Sequence, residues 1–185
     1  LRTADILKSL DIGKATGRDK IHNMILKTCC NTLNKPLSLL FNYLQSKGVF
    51  PDIWKVANVV PIFKKGNIQD CSNYRPISLL NTIGKVFEKC IYKYMYNFLH
   101  KYKLLTPFQS GFTPRDSSIF QLIDINDYIG KALDHGKEVK SVFCDISKAF
   151  DRVWHEGLIH KLNAIGIRVP MLAKTLLYSS CNLTI

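Results

Sequence analysis

Two regions of this chain have strand character, and they lie far apart. VANVVPIFKK (56–65) is a run rich in β-branched residues, and VKSVFCDI (139–146) is a second. Helix-period patterns run between and around them, so the order is helices, a strand pair, helices, a strand, helices. Strand and helix do not alternate regularly, as a doubly wound fold requires. The expected fold class is therefore mixed α+β, with room for two sub-lobes. With 185 residues, 46% of them hydrophobic, the chain can bury one core of ordinary size or two small ones. Its longest apolar runs are far short of a membrane span.

Ile6, Leu7 and Leu10, with Lys8 opposite, predict a short helix over 2–9. KATGRD (14–19) reads as a turn in which Gly17 supplies a permissive backbone and Asp19 caps a helix over 20–32. Pro36 is expected to open the next helix, with Leu37, Leu40, Phe41 and Leu44 buried and Gly48 at its end. Pro61 marks the first strand as an edge or a bulge. After the loop GNIQDCSNY (66–74), RPISLL leads into a helix over 83–99. Its apolar face would be Ile83, Phe87, Cys90 or Ile91, Tyr94 and Phe98; Lys85, Lys89 and Lys93 lie opposite. Ile119, Leu122, Ile123, Ile129 and Leu133 repeat the helical pattern over 117–133. A short helix near 148–152, another over 156–165, and a last one opened by Pro170 complete the reading.

The net charge is +12, from 26 Lys and Arg against 14 Asp and Glu. From Lys55 to Lys103 there are nine basic residues and two acids, Asp70 and Glu88, which favours a polyanionic partner such as nucleic acid or nucleotide. The six cysteines form no CxxC pair and no zinc spacing. Without a secretory apolar segment, reduced thiols in an intracellular protein, nuclear or cytoplasmic, are expected. The chain starts inside a helical pattern and stops at LLYSSCNLTI without a terminating signal, which reads as a piece cut from a longer polypeptide.

The chemistry centres on Asp145, at the tip of the second strand. A buried, unpaired carboxylate is costly, so it must be neutralised, hydrogen-bonded or bound to metal. One reading makes it the N-cap of the following helix. The other makes it a cation ligand. Phe150 lies one short turn beyond it, and Lys64, Lys65 and Arg75 sit upstream in or beside loops. A carboxylate that grips Mg²⁺ and a cationic loop that grips phosphates are the minimal kit for phosphoryl transfer.

SVFCDISKAFDRVWH (141–155) resembles the first catalytic motif of reverse transcriptases, in particular those of non-LTR (LINE-type) retrotransposons. KATGRDKI (14–21) resembles the segment preceding the fingers, VVPIFKKGN (59–67) the first fingers motif, and SNYRPISLL (72–80) the second. LLTPFQSGF (104–112) resembles the segment between fingers and palm. The five occur in the family's order over nearly the whole chain. Arg18 and Lys20 replace the usual Pro and Gly, and Ser118 stands where Thr is more common. The second catalytic motif, an aromatic-Ala-Asp-Asp turn, has no counterpart: beyond Asp151 the sole acid is Glu156.

The resemblance implies the fingers and the beginning of the palm of a right-hand polymerase, stopping before that second motif. Residues 1–54 would be a helical segment joining the fingers, 55–137 the fingers-like region and 138–185 the start of the palm. The parent enzyme would extend a primer 3′-OH with dNTPs on an RNA template by two-metal phosphoryl transfer, with Mg²⁺ or, as substitute, Mn²⁺. Asp145 would be the catalytic metal ligand, and Ile146 would offer its carbonyl to the second ion. Phe150 would exclude a ribose 2′-OH. Arg75, with Lys64 or Lys65, would bind the triphosphate, and Gln109 and Gly111 would lie near the template–nucleotide pocket. Asp151 is read as a structural partner on the following helix. Implied partners are RNA template, DNA primer, dNTP and the remainder of a retrotransposon polyprotein, including an endonuclease, with no membrane. This chain alone is expected to be inactive. The alternative is a non-catalytic RNA-binding relic of the same domain.

Overall fold

The computed structural model describes residues 3–146 and 149–167. Their helices are α1 (Ala4–Lys8), α2 (Asn23–Thr28), α3 (Cys30–Lys47), α4 (Asp52–Lys55), α5 (Thr82–Lys101), α6 (Ser118–Asp134) and α7 (His155–Ala164). Two strands, β1 (Asn58–Phe63) and β2 (Tyr74–Leu79), form one antiparallel hairpin, and 3₁₀ turns lie at Cys71–Asn73 and Ala149–Arg152. This is mixed α and β, as the sequence predicts. The helix expected from Pro170 lies outside the described residues. The chain divides into two compact units. One holds the residues up to Asn97 and the described residues from Val153 on; the other holds Phe98–Arg152.

The buried core belongs to the first unit. Cys30, Leu37, Phe41 and Leu44 are buried along α3, with Leu33 packed against them, and this stripe recurs at helical spacing. It starts ahead of Pro36, which therefore lies inside the helix rather than at its beginning. A helix-interior proline removes one backbone donor and costs roughly 3 kcal/mol. Burying Cys30 and Leu33 on the same face offsets that loss. Leu40, expected in the core, is 40% exposed because it falls off the stripe. Gly48 ends α3 with φ 63°, the left-handed conformation that glycine adopts without strain.

Four rings form the centre. Phe87 of α5 lies 5.0 Å from Phe41, 6.1 Å from Phe50 and 5.8 Å from Trp54 between ring centroids. Val86, which the periodicity missed, is fully buried beside it, whereas Tyr94 is half exposed. Thr3, also fully buried, ties the start of α1 to α3: its hydroxyl donates to the Asn34 side-chain carbonyl at 2.6 Å and contacts the Ser38 hydroxyl.

The segment KATGRD does something the sequence reading missed. Asp19 accepts the Thr82 N–H at 2.8 Å, so it caps α5, 63 residues away, and not α2. The Thr82 hydroxyl returns a bond to the Ile21 carbonyl at 2.7 Å. Gly17 is needed for close approach, not for a special turn conformation: a Cβ there would sit 2.2 Å from the Leu80 carbonyl oxygen. Gly17→Ala is thus expected to cost about 1–3 kcal/mol, because two backbone segments must separate. Asp19→Ala is expected to cost about 1 kcal/mol through the lost cap. Urea unfolding midpoints of the two variants check both values.

Glu88, half buried on α5, has its carboxyl pushed above the ordinary value by burial, with the Lys85 charge opposing. An acid whose folded pKa is raised lowers stability once pH climbs past its unfolded value near 4.5. Glu88→Gln is therefore expected to melt above the parent at neutral pH. The gap should close as pH falls below that value. Melting curves across this range check the sign.

The second expected strand does not form. Residues 137–146 carry no regular structure, and Val142 and Phe143 are 85% and 89% exposed. Alternating apolar residues become a strand where another strand completes the ladder, and the sheet of the described residues contains β1 and β2 alone. In the second unit, α6 forms where predicted, yet Ile119, Leu122, Ile123 and Leu133 are all more than half exposed.

Candidate functional site

The hairpin carries three of the candidate cations: Arg75 in β2, and Lys64 and Lys65 directly after β1. Its register pairs Ile62 with Arg75, Pro61 with Pro76, and Phe63 with Tyr74. A proline has no N–H to give, so Pro61 and Pro76 can face each other only at a pair that exchanges no ladder bonds. The Lys64 N–H, donating to the Asn73 carbonyl at 2.8 Å, fixes the alternation that way. Phe63 and Tyr74 bring their rings within 5.5 Å on one face. Ile62 and Arg75 therefore lie on the other.

The connecting loop holds itself in shape. The Asn67 side chain accepts the Gln69 N–H at 3.0 Å, and the Asn73 amide donates to the Asn67 carbonyl at 3.0 Å. The Tyr74 hydroxyl donates to the Ile68 carbonyl at 2.9 Å. Asp70 accepts the Ser72 N–H at 2.9 Å, a bond that holds its carboxyl below the usual range. Asp70 is thus engaged as a turn acceptor. Lys64, Lys65 and Arg75 are exposed, and no carboxylate of the described residues lies within ion-pair distance of them. The sequence found the three cations. It missed Asn67, Asp70 and Asn73, which shape their loop; an Asx-rich stretch between strands was the available signal.

The other site residues lie in the second unit. Gln109 and Gly111 share one turn: the Gln109 side-chain amide donates to the Gly111 carbonyl at 3.2 Å, and the Thr113 hydroxyl donates to the Gln109 carbonyl at 2.8 Å. Gly111 also lines an open hollow of about 630 Å³ with Asp116, Ser117 and Gln121. Ser117 caps α6 by accepting the Phe120 N–H at 3.4 Å. Phe108 and Phe112, flanking this turn, are 91% and 92% exposed.

Asp145 and Ile146 are exposed, in the irregular segment after α6. The 3₁₀ turn after them begins at Ala149, so Asp145 does not occupy its N-cap position. Phe150 and Asp151 fall within that turn; their side chains lie outside the described residues. Among the described residues, no three metal-ligating side chains converge. The Asp145 carboxylate is a hard oxygen donor suited to Mg²⁺, but one donor is a fraction of the octahedral set that ion takes. These residues do not by themselves fit a two-ion site.

Comparison with known proteins points one way. The family model described as "Reverse transcriptase (RNA-dependent DNA polymerase)" matches residues 62–184. The chain is 33% identical, over 162 residues, to a probable RNA-directed DNA polymerase from transposon BS of Drosophila melanogaster, covering 87% of this chain and 18% of that protein. It is 32% identical, over 158 residues, to the RNA-directed DNA polymerase from mobile element jockey of the same species, covering 85% and 17%. A Pol polyprotein from the type-1 retrotransposable element R2 of Popillia japonica is 27% identical over 121 residues, covering 65% and 16%. The chain thus spans less than a fifth of the length of these relatives.

Proposed function

The chain belongs to the reverse transcriptase family, and on that footing we propose that it forms the fingers and the start of the palm of a non-LTR retrotransposon polymerase. Residues 1–54 lead into the fingers, 55–137 build them, and 138–185 open the palm. The parent extends a primer 3′-OH with dNTPs on an RNA template. It works as one part of a longer polyprotein.

The observation that carries this reading is the cationic hairpin. Lys64, Lys65 and Arg75 are held on one ordered turn-and-strand unit, exposed and free of carboxylate partners among the described residues. Arg75 can grip a phosphate through two parallel N–H bonds, and a lysine adds a mobile point charge. Such a pair orients a triphosphate and offsets its charge. Phe150 would set the sugar selectivity, and Gln109 and Gly111 would flank the template base. The Asp145 carboxylate and the Ile146 carbonyl would contribute ligands to divalent cations. In the completed polymerase such ions would supply Lewis-acid stabilisation of the developing charge.

The 185-residue chain offers one Asp at that position, and after Asp151 one further acid, Glu156. It is accordingly expected to show no template-dependent incorporation in a primer-extension assay with Mg²⁺ or Mn²⁺. A chain extended downstream through an Asp-Asp turn should incorporate. Incorporation by the short chain overturns the carboxylate argument. A completed chain that binds RNA and never incorporates favours the non-catalytic relic instead.

A further inference from the structure

Helix α5 carries four lysines and one acid, and its lysines are not merely scattered over a solvated face. At about 100° per residue, Lys85, Lys89, Tyr92, Lys93 and Tyr96 fall within roughly 100° of arc. The buried side of the same helix is formed by Val86, Phe87 and Cys90. Tyr92 and Tyr96 are stacked, ring centroids 5.7 Å apart and planes 29° from parallel. Tyr92 is 56% exposed, so its outer face stays open to solvent. Lys89 and Lys93 are exposed beside it on the same helix. Two acids approach the stripe. Asp5 has its carboxylate 4.0 Å from the Lys93 ammonium, an exposed pair of small worth. Glu88, one turn before Tyr92, is half buried, and its carboxyl feels the Lys85 charge.

We infer that this face of α5 is a binding platform for single-stranded nucleic acid, built from residues that the proposed nucleotidyl-transfer site does not use: a base stacks on Tyr92 while Lys85, Lys89 and Lys93 hold the flanking phosphates. Lysines alone fit any polyanion. An open aromatic ring, backed by a second ring and bordered by ammonium groups, selects ligands that also present a flat π-face. A duplex keeps its bases stacked on one another and offers that face only at its ends. The platform depends on neither Asp145 nor the hairpin.

Fluorescence anisotropy of the full 185-residue chain with labelled oligouridine, oligothymidine and duplex RNA tests this. Tyr92→Ala combined with Tyr96→Ala should weaken single-strand binding by about 5- to 150-fold, the range of one lost base stack. Tyr92→Phe combined with Tyr96→Phe should bind as the parent does. Lys89→Ala and Lys93→Ala should each lower the magnitude of the log–log salt slope by about 0.7. Equal affinity for oligouridine and oligothymidine supports a platform indifferent to the sugar; a preference for oligouridine supports one for RNA. Asp145→Asn should leave all of this unchanged, so the platform and the polymerase reading can fail separately. Parental affinity in the tyrosine-to-alanine variant overturns the inference. So does duplex RNA or polyglutamate binding as tightly as the single strand.

Discussion

Phe87→Ala is expected to destabilise the first unit by about 3–5 kcal/mol, the range for removing a buried phenyl ring. A domain of ordinary stability has roughly 5–15 kcal/mol in total, so the variant should be close to unfolding. Phe87 is fully buried, and its ring faces three others, Phe41, Phe50 and Trp54. Those rings come from α3, from the loop after it and from α4. Truncating Phe87 opens a void where these elements meet α5. Aromatic side chains are stiff, and three of them cannot collapse together into that space. Trp54 is itself a reporter, because it is buried against Phe87, while Trp154 is 75% exposed and supplies a steady background. Urea unfolding followed by tryptophan fluorescence should show a lower midpoint at unchanged slope. Tyr43→Ala, at a 60% exposed position of α3, should shift the midpoint little and serves as the control. A Phe87→Ala midpoint within error of the parent contradicts the ring cluster as the centre of this core.

What the sequence disclosed follows the range of the interactions involved. Helices with one buried stripe were legible, because Phe41, Leu44, Phe87 and Cys90 repeat at the spacing of their own helix. Pro61 announced an unprotected edge for the same local reason. Pro36 misled, because proline's local preference for a first turn was outweighed by the packing of Cys30 and Leu33. Asp19 misled in a different way. It looked like the cap of the next helix, and its partner is Thr82; nothing within a short window reveals a bond across 63 residues. The strand at 139–146 failed because a strand is a property of two segments, and this one has no partner among the described residues. At the candidate site, the charged residues were legible by type. The loop bonds of Asn67, Asp70 and Asn73 that order their surroundings were not.

Asp145→Asn is expected to cut primer extension by at least about a thousandfold in a parent polymerase completed downstream. The change keeps the size of the side chain and removes its charge. A divalent cation acting as Lewis acid contributes several kcal/mol to the transition state, and each 1.4 kcal/mol is about tenfold in rate. Asp145 is exposed and lies outside the N-cap position of the turn that begins at Ala149. The substitution should therefore leave stability within about 0.5 kcal/mol of the parent. That combination separates the two readings of this carboxylate. A metal ligand loses synthesis and keeps the melting temperature; a helix cap loses about 1 kcal/mol of stability and keeps synthesis. Single-turnover nucleotide incorporation beside a thermal melt measures both. Oligonucleotide binding should survive, since the cations of the hairpin and of α5 are untouched. Incorporation within tenfold of the parent removes Asp145 from the chemistry, and the cation site must then be sought elsewhere in the chain.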